Sequence, residues 1–322
     1  MSEILLSNQV IVYLLSESIL FGLLLIAFII TLEILIKWDF GSYSEQQFRL
    51  ERRAYLVMTI LLFVFVVKFL LLIYFVFAID SLSLLVPGAM CAAGVISAND
   101  YGMLLLFLKL LILFFLLLWM AINRYDLQAK NYPLFRIKSW LFVSIFLVIA
   151  IETGVDFAYF GHIDTLEPVN CCSTLYGQLE GANPLPFGLN TMILLILFYL
   201  LYVAVMASAL SSQRVSFMVA LLLFVFIAYY SVVYFFGTYI YELPTHNCPF
   251  CMLQKEYYYV GYLVWGALFV GTYLGLISSV MEIGLKVERN RERMVALALL
   301  SIFVLLCTGF VAIYYLRNGV FL

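Results

Sequence analysis

The stretch MLLLFLKLLILFFLLLWMAIN, residues 103–123, decides the fold. A helix needs about 20 mainly apolar residues to cross a bilayer core about 30 Å thick, since each residue rises about 1.5 Å. This stretch has that length, and only Lys109 breaks the apolar run before Asn123. It shows no alternation of apolar and polar residues and is much longer than a barrel strand, so it reads as a spanning helix. Seven more stretches read the same way: 10–37, 54–79, 139–160, 188–211, 217–242, 257–282 and 294–316. The expected fold is an all-α, polytopic integral membrane protein with eight transmembrane helices.

Composition agrees. Of 322 residues, 66% are hydrophobic and 11% charged, against about 45–50% and about 25% in soluble domains. Too little polar surface is left to coat a water-soluble particle. A net charge of -2 without a basic stripe argues against nucleic acid as a partner. No phosphate-binding glycine loop is present, so ATP hydrolysis by this chain is not expected. Residues 1–15 contain no Lys or Arg, and a cleaved signal peptide needs positive charge before its apolar core. The first helix is therefore expected to be retained.

The loops sort by charge. Those after the first, third, fifth and seventh helices hold Arg49, Arg52, Arg53, Arg124, Lys130, Arg136, Lys138, Arg214, Lys286, Arg289, Arg291 and Arg293. With Lys37 these make 13 of the 17 basic residues. The positive-inside rule then predicts that both termini, and the loops near 80–102, 161–187 and 243–256, are extracytoplasmic. The expected location is the cytoplasmic membrane of a bacterium or archaeon.

Residues 1–160 read as a first four-helix half, 161–187 as a cysteine-containing outer loop, and 188–322 as a second four-helix half. At an offset of 157, Pro87 aligns with Pro244, Cys91 with Cys248 and Tyr101 with Tyr258. That hints at a 4+4 duplication, although any eight-helix chain divides into two fours.

The cysteines carry the chemistry. Cys91, Cys171, Cys172, Cys248 and Cys251 all fall in the predicted outer loops, with His162 and His246. Cys307 sits inside the last helix and reads as a small buried hydrophobe. An extracytoplasmic site is oxidising and permits disulfides; five outer cysteines imply one free or shared thiol. The sharpest signal is His246-Asn247-Cys248-Pro249-Phe250-Cys251-Met252-Leu253-Gln254-Lys255. A Cys-x-x-Cys at a helix start, as this one is expected to be, favours a thiolate through the amides and dipole there. Lys255, one turn on, would add positive charge. The motif alone fits redox work, a metal site or a structural disulfide.

The run CPFCMLQK, Cys248–Lys255, resembles the motif of the DsbB family of quinone-linked disulfide-generating membrane proteins. The resemblance covers about ten residues and the two flanking helices; that family has four helices, not eight. It implies that Cys248 and Cys251 are the pair that reduces a quinone, with Gln254 and Lys255 beside it and Lys255 where the family has an Arg. A second redox pair would come from Cys171, Cys172 or Cys91. The adjacent Cys171-Cys172 could form a strained, easily reduced disulfide, or one of the two could bond Cys91. The 161–187 loop could equally be a lid tied by one structural disulfide.

The metal alternative uses the same atoms. Cys248, Cys251 and His246 are donors suited to Cu(I) or Zn, with Met90 and Met252 beside cysteines. The second Cys pair of a usual zinc site is missing.

Finally, charged residues fall inside predicted helices, among them Glu17, Lys68, Lys109, Glu152 and Asp156. A charge at bilayer depth costs at least about 2.5–3.5 kcal/mol by insertion scales, so it faces a bundle interior and pairs. Lys68 is expected to pair with Glu152 or Glu17. Lys109 and Asp156 are read as near enough to the outer surface to snorkel. The cluster would be a proton path or an ion pair that locks helices together.

The leading expectation is a thiol–disulfide redox protein that links a membrane quinone to an extracytoplasmic thiol partner. The alternatives are a copper or zinc protein served by a metal-carrying partner, and a non-catalytic subunit that assembles with other membrane chains.

Overall fold

Lipid offers no partner to a backbone amide, so a spanning chain must close its hydrogen bonds within each segment. A computed structural model describes residues 3–38, 44–89, 91–128, 133–165, 168–169, 185, 188–211 and 213–322. These residues are helical with short connections, and no strand occurs among them. Among the described residues, eight helices are long and apolar enough to cross a membrane. The chain divides into two compact units, Met1–Asn170 and Cys171–Leu322.

The first unit contains α1 (Asn8–Lys37), α2 (Glu45–Leu82), the short α3 (Ala92–Ile96), α4 (Asp100–Asp126) and α5 (Phe135–Gly161). Of its long helices, α1 packs on α2 and α5, and α4 packs on α5 and α2. The sequence places the second span at 54–79, but α2 starts at Glu45. Ser44 accepts a hydrogen bond from the Gln47 amide, an N-cap that lets a charged turn precede the apolar run. The ends of α4 and α5 are joined by a buried ion pair: Lys138 Nζ lies 2.7 Å from Asp126 and donates to Asn123 Oδ1 at 3.0 Å.

The second unit contains α6 (Thr191–Leu210), α7 (Arg214–Ser231), a π turn (Val232–Phe236), α8 (Gly237–Tyr241), α9 (Val260–Leu285) and α10 (Asn290–Asn318). The segment from Arg214 to Tyr241 forms one span. Its core stacks Phe198 against Phe224, Phe236 and Phe303, with centroids 5.0–6.0 Å apart. Tyr199 and Tyr202 on α6 bond Thr308 and Ser301 on α10 at 2.9 and 2.8 Å. At the α9–α10 turn, Glu282 is buried, 3.2 Å from Arg293 and 3.6 Å from Arg214.

Candidate functional site

Among the described residues, reactive groups gather in each of the two units. In the second, the Cys-x-x-Cys follows Tyr241, the last residue of α8, where Glu242 turns the chain back with a left-handed φ of 55°. Tyr241 then clamps the turn. Its hydroxyl donates to the Cys248 carbonyl and accepts from the Met252 amide at 3.1 Å. Trp265 on α9 donates from Nε1 to the Pro249 carbonyl at 3.2 Å. Cys248 and Cys251 are buried and their sulfurs lie within 4.8 Å of each other.

The motif is not at the start of an α-helix, as the sequence suggests. Cys251–Leu253 and Lys255–Tyr257 are separate 3-10 turns, and α9 begins only at Val260. The break comes from Tyr258 and Tyr259, both left-handed at φ 53° and 56°, a conformation bulky L-residues seldom adopt. Dipole stabilisation of a thiolate by α9 therefore does not apply at Cys251, because the effect fades within the first turn. Lys255 is exposed and Gln254 half-buried on the adjoining turn. Gly261 lets the turn press on α9: a Cβ there would meet Met252 Cγ at 2.5 Å and the Met252 carbonyl carbon at 2.9 Å. The Tyr257 hydroxyl is pushed to higher pKa by burial, then by the charges of Cys251 and Glu256, so it stays protonated at neutral pH.

His246 stacks edge-on against Tyr241, with centroids 4.5 Å apart. It is not among the ligand atoms gathered within 4.8 Å of the two sulfurs. Cys91 is a buried residue that opens α3 in the first unit. Cys171, Cys172, Met90 and most of the 161–187 loop lie outside the described residues. Cys307 is buried within α10, as the sequence implies.

In the first unit, Glu17, Lys68, Lys109, Glu152 and Asp156 meet. Glu17 lies nine residues after Asn8, Lys109 nine after Asp100 and Glu152 nine before Gly161, each about 14 Å of helix from the same end of the unit. Lys68 Nζ is 2.8 Å from Glu17 Oε2 and 2.5 Å from Glu152 Oε2, so it pairs with both expected partners. Lys109 Nζ is 2.6 Å from Glu152 Oε1 and 3.0 Å from Asp156 Oδ2.

Lys109 and Asp156 therefore do not snorkel; they are 5% and 0% exposed. Three carboxylates facing two ammoniums hold them inside, since a paired buried charge costs far less than a lone one. The sequence reading missed Tyr13, one turn before Glu17. Its hydroxyl lies 3.2 Å from Glu17 Oε1 and 3.0 Å from Asp156 Oδ1, and it accepts from Lys109. The i, i+4 spacing of Tyr13 and Glu17 was the available signal. A cavity of about 20 Å³ is lined by Tyr13, Glu17, Lys68, Lys109 and Glu152, room for one water molecule.

Fold and sites together define a multi-pass, all-helical membrane protein with a clamped dithiol turn in one unit and a buried charge cluster in the other. No family model, curated protein or solved structure matches this chain.

Proposed function

We propose that this chain is a membrane thiol–disulfide redox protein in which Cys248 and Cys251 exchange electrons with a membrane quinone. The carrying observation is that the two sulfurs of Cys-Pro-Phe-Cys lie within 4.8 Å of each other in a turn pinned by Tyr241 and Trp265. A disulfide requires the two sulfurs to close from that separation to about 2.05 Å. The chemistry balances: the dithiol loses two electrons and two protons and becomes a disulfide, and the quinone gains both and becomes a quinol. The disulfide then passes by thiolate exchange to an extracytoplasmic thiol protein, directly or through Cys91, Cys171 or Cys172. The likeness of Cys248–Lys255 to the DsbB-type run supports Gln254 and Lys255 as quinone neighbours. The basic loops support an orientation with the cysteine loops outside.

Membranes carrying the full chain test this by quinone-dependent oxidation of an added dithiol. Cys248→Ser should abolish the oxidation; full retention of activity defeats the proposal. The proximity of two sulfurs also suits a soft metal such as Cu(I) or Zn. Stoichiometric metal in the reduced protein, lost in Cys251→Ser without any quinone-dependent turnover, would establish that reading instead.

A further inference from the structure

In the first unit, the hydrogen bonds around the Tyr13 hydroxyl are one proton short. Lys109 has three protons and three acceptors: Tyr13 Oη, Glu152 Oε1 and Asp156 Oδ2. Lys68 donates to Glu152 Oε2 and is ion-paired with Glu17 Oε2 at 2.8 Å. Each carboxylate then has one oxygen or more against an ammonium. The two that remain, Glu17 Oε1 and Asp156 Oδ1, both face the same Tyr13 hydroxyl. That hydroxyl has a single proton. With every carboxyl ionised, one of these two oxygens faces an oxygen with no hydrogen between them.

The charge count gives the same shortfall independently. Glu17, Glu152 and Asp156 carry three negative charges against the two positive charges of Lys68 and Lys109. All five residues are at most 6% exposed. No other charged side chain is paired with them among the described residues. A net charge this deep is costly. One added proton removes both deficits, since it neutralises the cluster and fills the missing hydrogen bond at Tyr13.

We propose that Tyr13, Glu17, Lys68, Lys109, Glu152 and Asp156 form a one-proton binding site and relay within the membrane. The proton has two seats. On Glu17 Oε1 it is donated to Tyr13 Oη, and Tyr13 donates to Asp156; on Asp156 Oδ1 the roles reverse. Passage between them breaks one carboxyl O–H bond and forms the other. Tyr13 Oη takes one proton as it gives up its own, so neither net charge nor electron count changes. The relay thus moves a proton from α1 to α5 across one hydroxyl, and the water-sized cavity beside Glu17 and Lys68 is where a proton enters. Lys68 and Glu152 are positioning residues that fix the two seats. This inference stands without the thiol chemistry.

Infrared spectroscopy of the full chain in lipid at neutral pH tests it. The expected result is one deuterium-sensitive C=O band of a buried carboxylic acid, lost in Glu17→Gln and in Asp156→Asn and kept in Tyr13→Phe. Each amide occupies one seat with a neutral group, whereas Tyr13→Phe leaves the charge deficit in place. Carboxyl carbon shifts in Asp- and Glu-labelled wild-type protein give a second reading that needs no variant. The absence of any protonated carboxyl in the wild type overturns the proposal. So does a band that survives both amide variants, or one seen only after sodium and potassium are removed, since a metal ion would then supply the balancing charge.

Discussion

Lys68 and Glu152 meet at 2.5 Å across 84 residues of chain, joining α2 to α5 in the interior of the first unit. Glu17 and Lys109 extend the contact to α1 and α4, so all four long helices of this unit are tied at one level. Such an arrangement costs desolvation and contributes little to net stability when intact, but removing one partner strands the rest.

The two ends of that pair should respond unequally to removal. Lys68→Met leaves three carboxyls against one ammonium, whereas Glu152→Gln leaves two against two. We expect Lys68→Met to lower the unfolding free energy by about 3–5 kcal/mol, as for other broken buried pairs, and Glu152→Gln to cost clearly less. Thermal unfolding of both variants in lipid nanodiscs checks the order; equal losses contradict the charge count.

How much of this was legible beforehand depended on which force set the outcome. All eight spans could be read because lipid imposes a continuous apolar run, of which 103–123 is the plainest. The start of α2 at Glu45 could not, because the helix outlasts the bilayer once Ser44 caps it. Lys68 found its predicted partners. Lys109 and Asp156 were misjudged because distance along a helix does not reveal what the neighbouring helices bring to the same depth. The Cys-x-x-Cys was visible as a motif, while the left-handed Tyr258 and Tyr259 that separate it from α9 leave no mark in the residue types. Tyr241 carried no local signal either; it becomes the clamp only when Glu242 reverses the chain.

Tyr241→Phe tests that clamp. It removes one hydroxyl and leaves the Cys248 carbonyl and the Met252 amide without that partner, at an expected cost of about 1–3 kcal/mol. Alkylation of Cys248 and Cys251, followed by mass spectrometry, should become faster in the variant, while Cys307 in α10 should react as before.

Two glycines on α9 offer a matched contrast. Gly261→Ala drives a methyl into Met252 and its backbone, so the dithiol turn must move, with an overpacking cost of about 1–3 kcal/mol. A Cβ at Gly266 meets nothing within 4 Å, and Gly266→Ala should be neutral or stabilising by up to about 1 kcal/mol through helix propensity. If thiol oxidation falls in both variants alike, close packing at Gly261 is not what sets the geometry of the turn.

The orientation proposed from the loop charges has its own test. Glu256 lies on the exposed turn after the cysteines and Glu288 between α9 and α10, where the basic residues concentrate. Because α9 separates them, the two positions must face opposite sides of the membrane if α9 spans it. An impermeant maleimide applied to intact cells should label Glu256→Cys strongly above the wild-type background. It should label Glu288→Cys only after the membrane is opened. The reverse pattern would put the dithiol turn in the reducing compartment, where a stable disulfide is disfavoured, and would remove the main support for delivery of oxidising equivalents to an extracytoplasmic thiol partner.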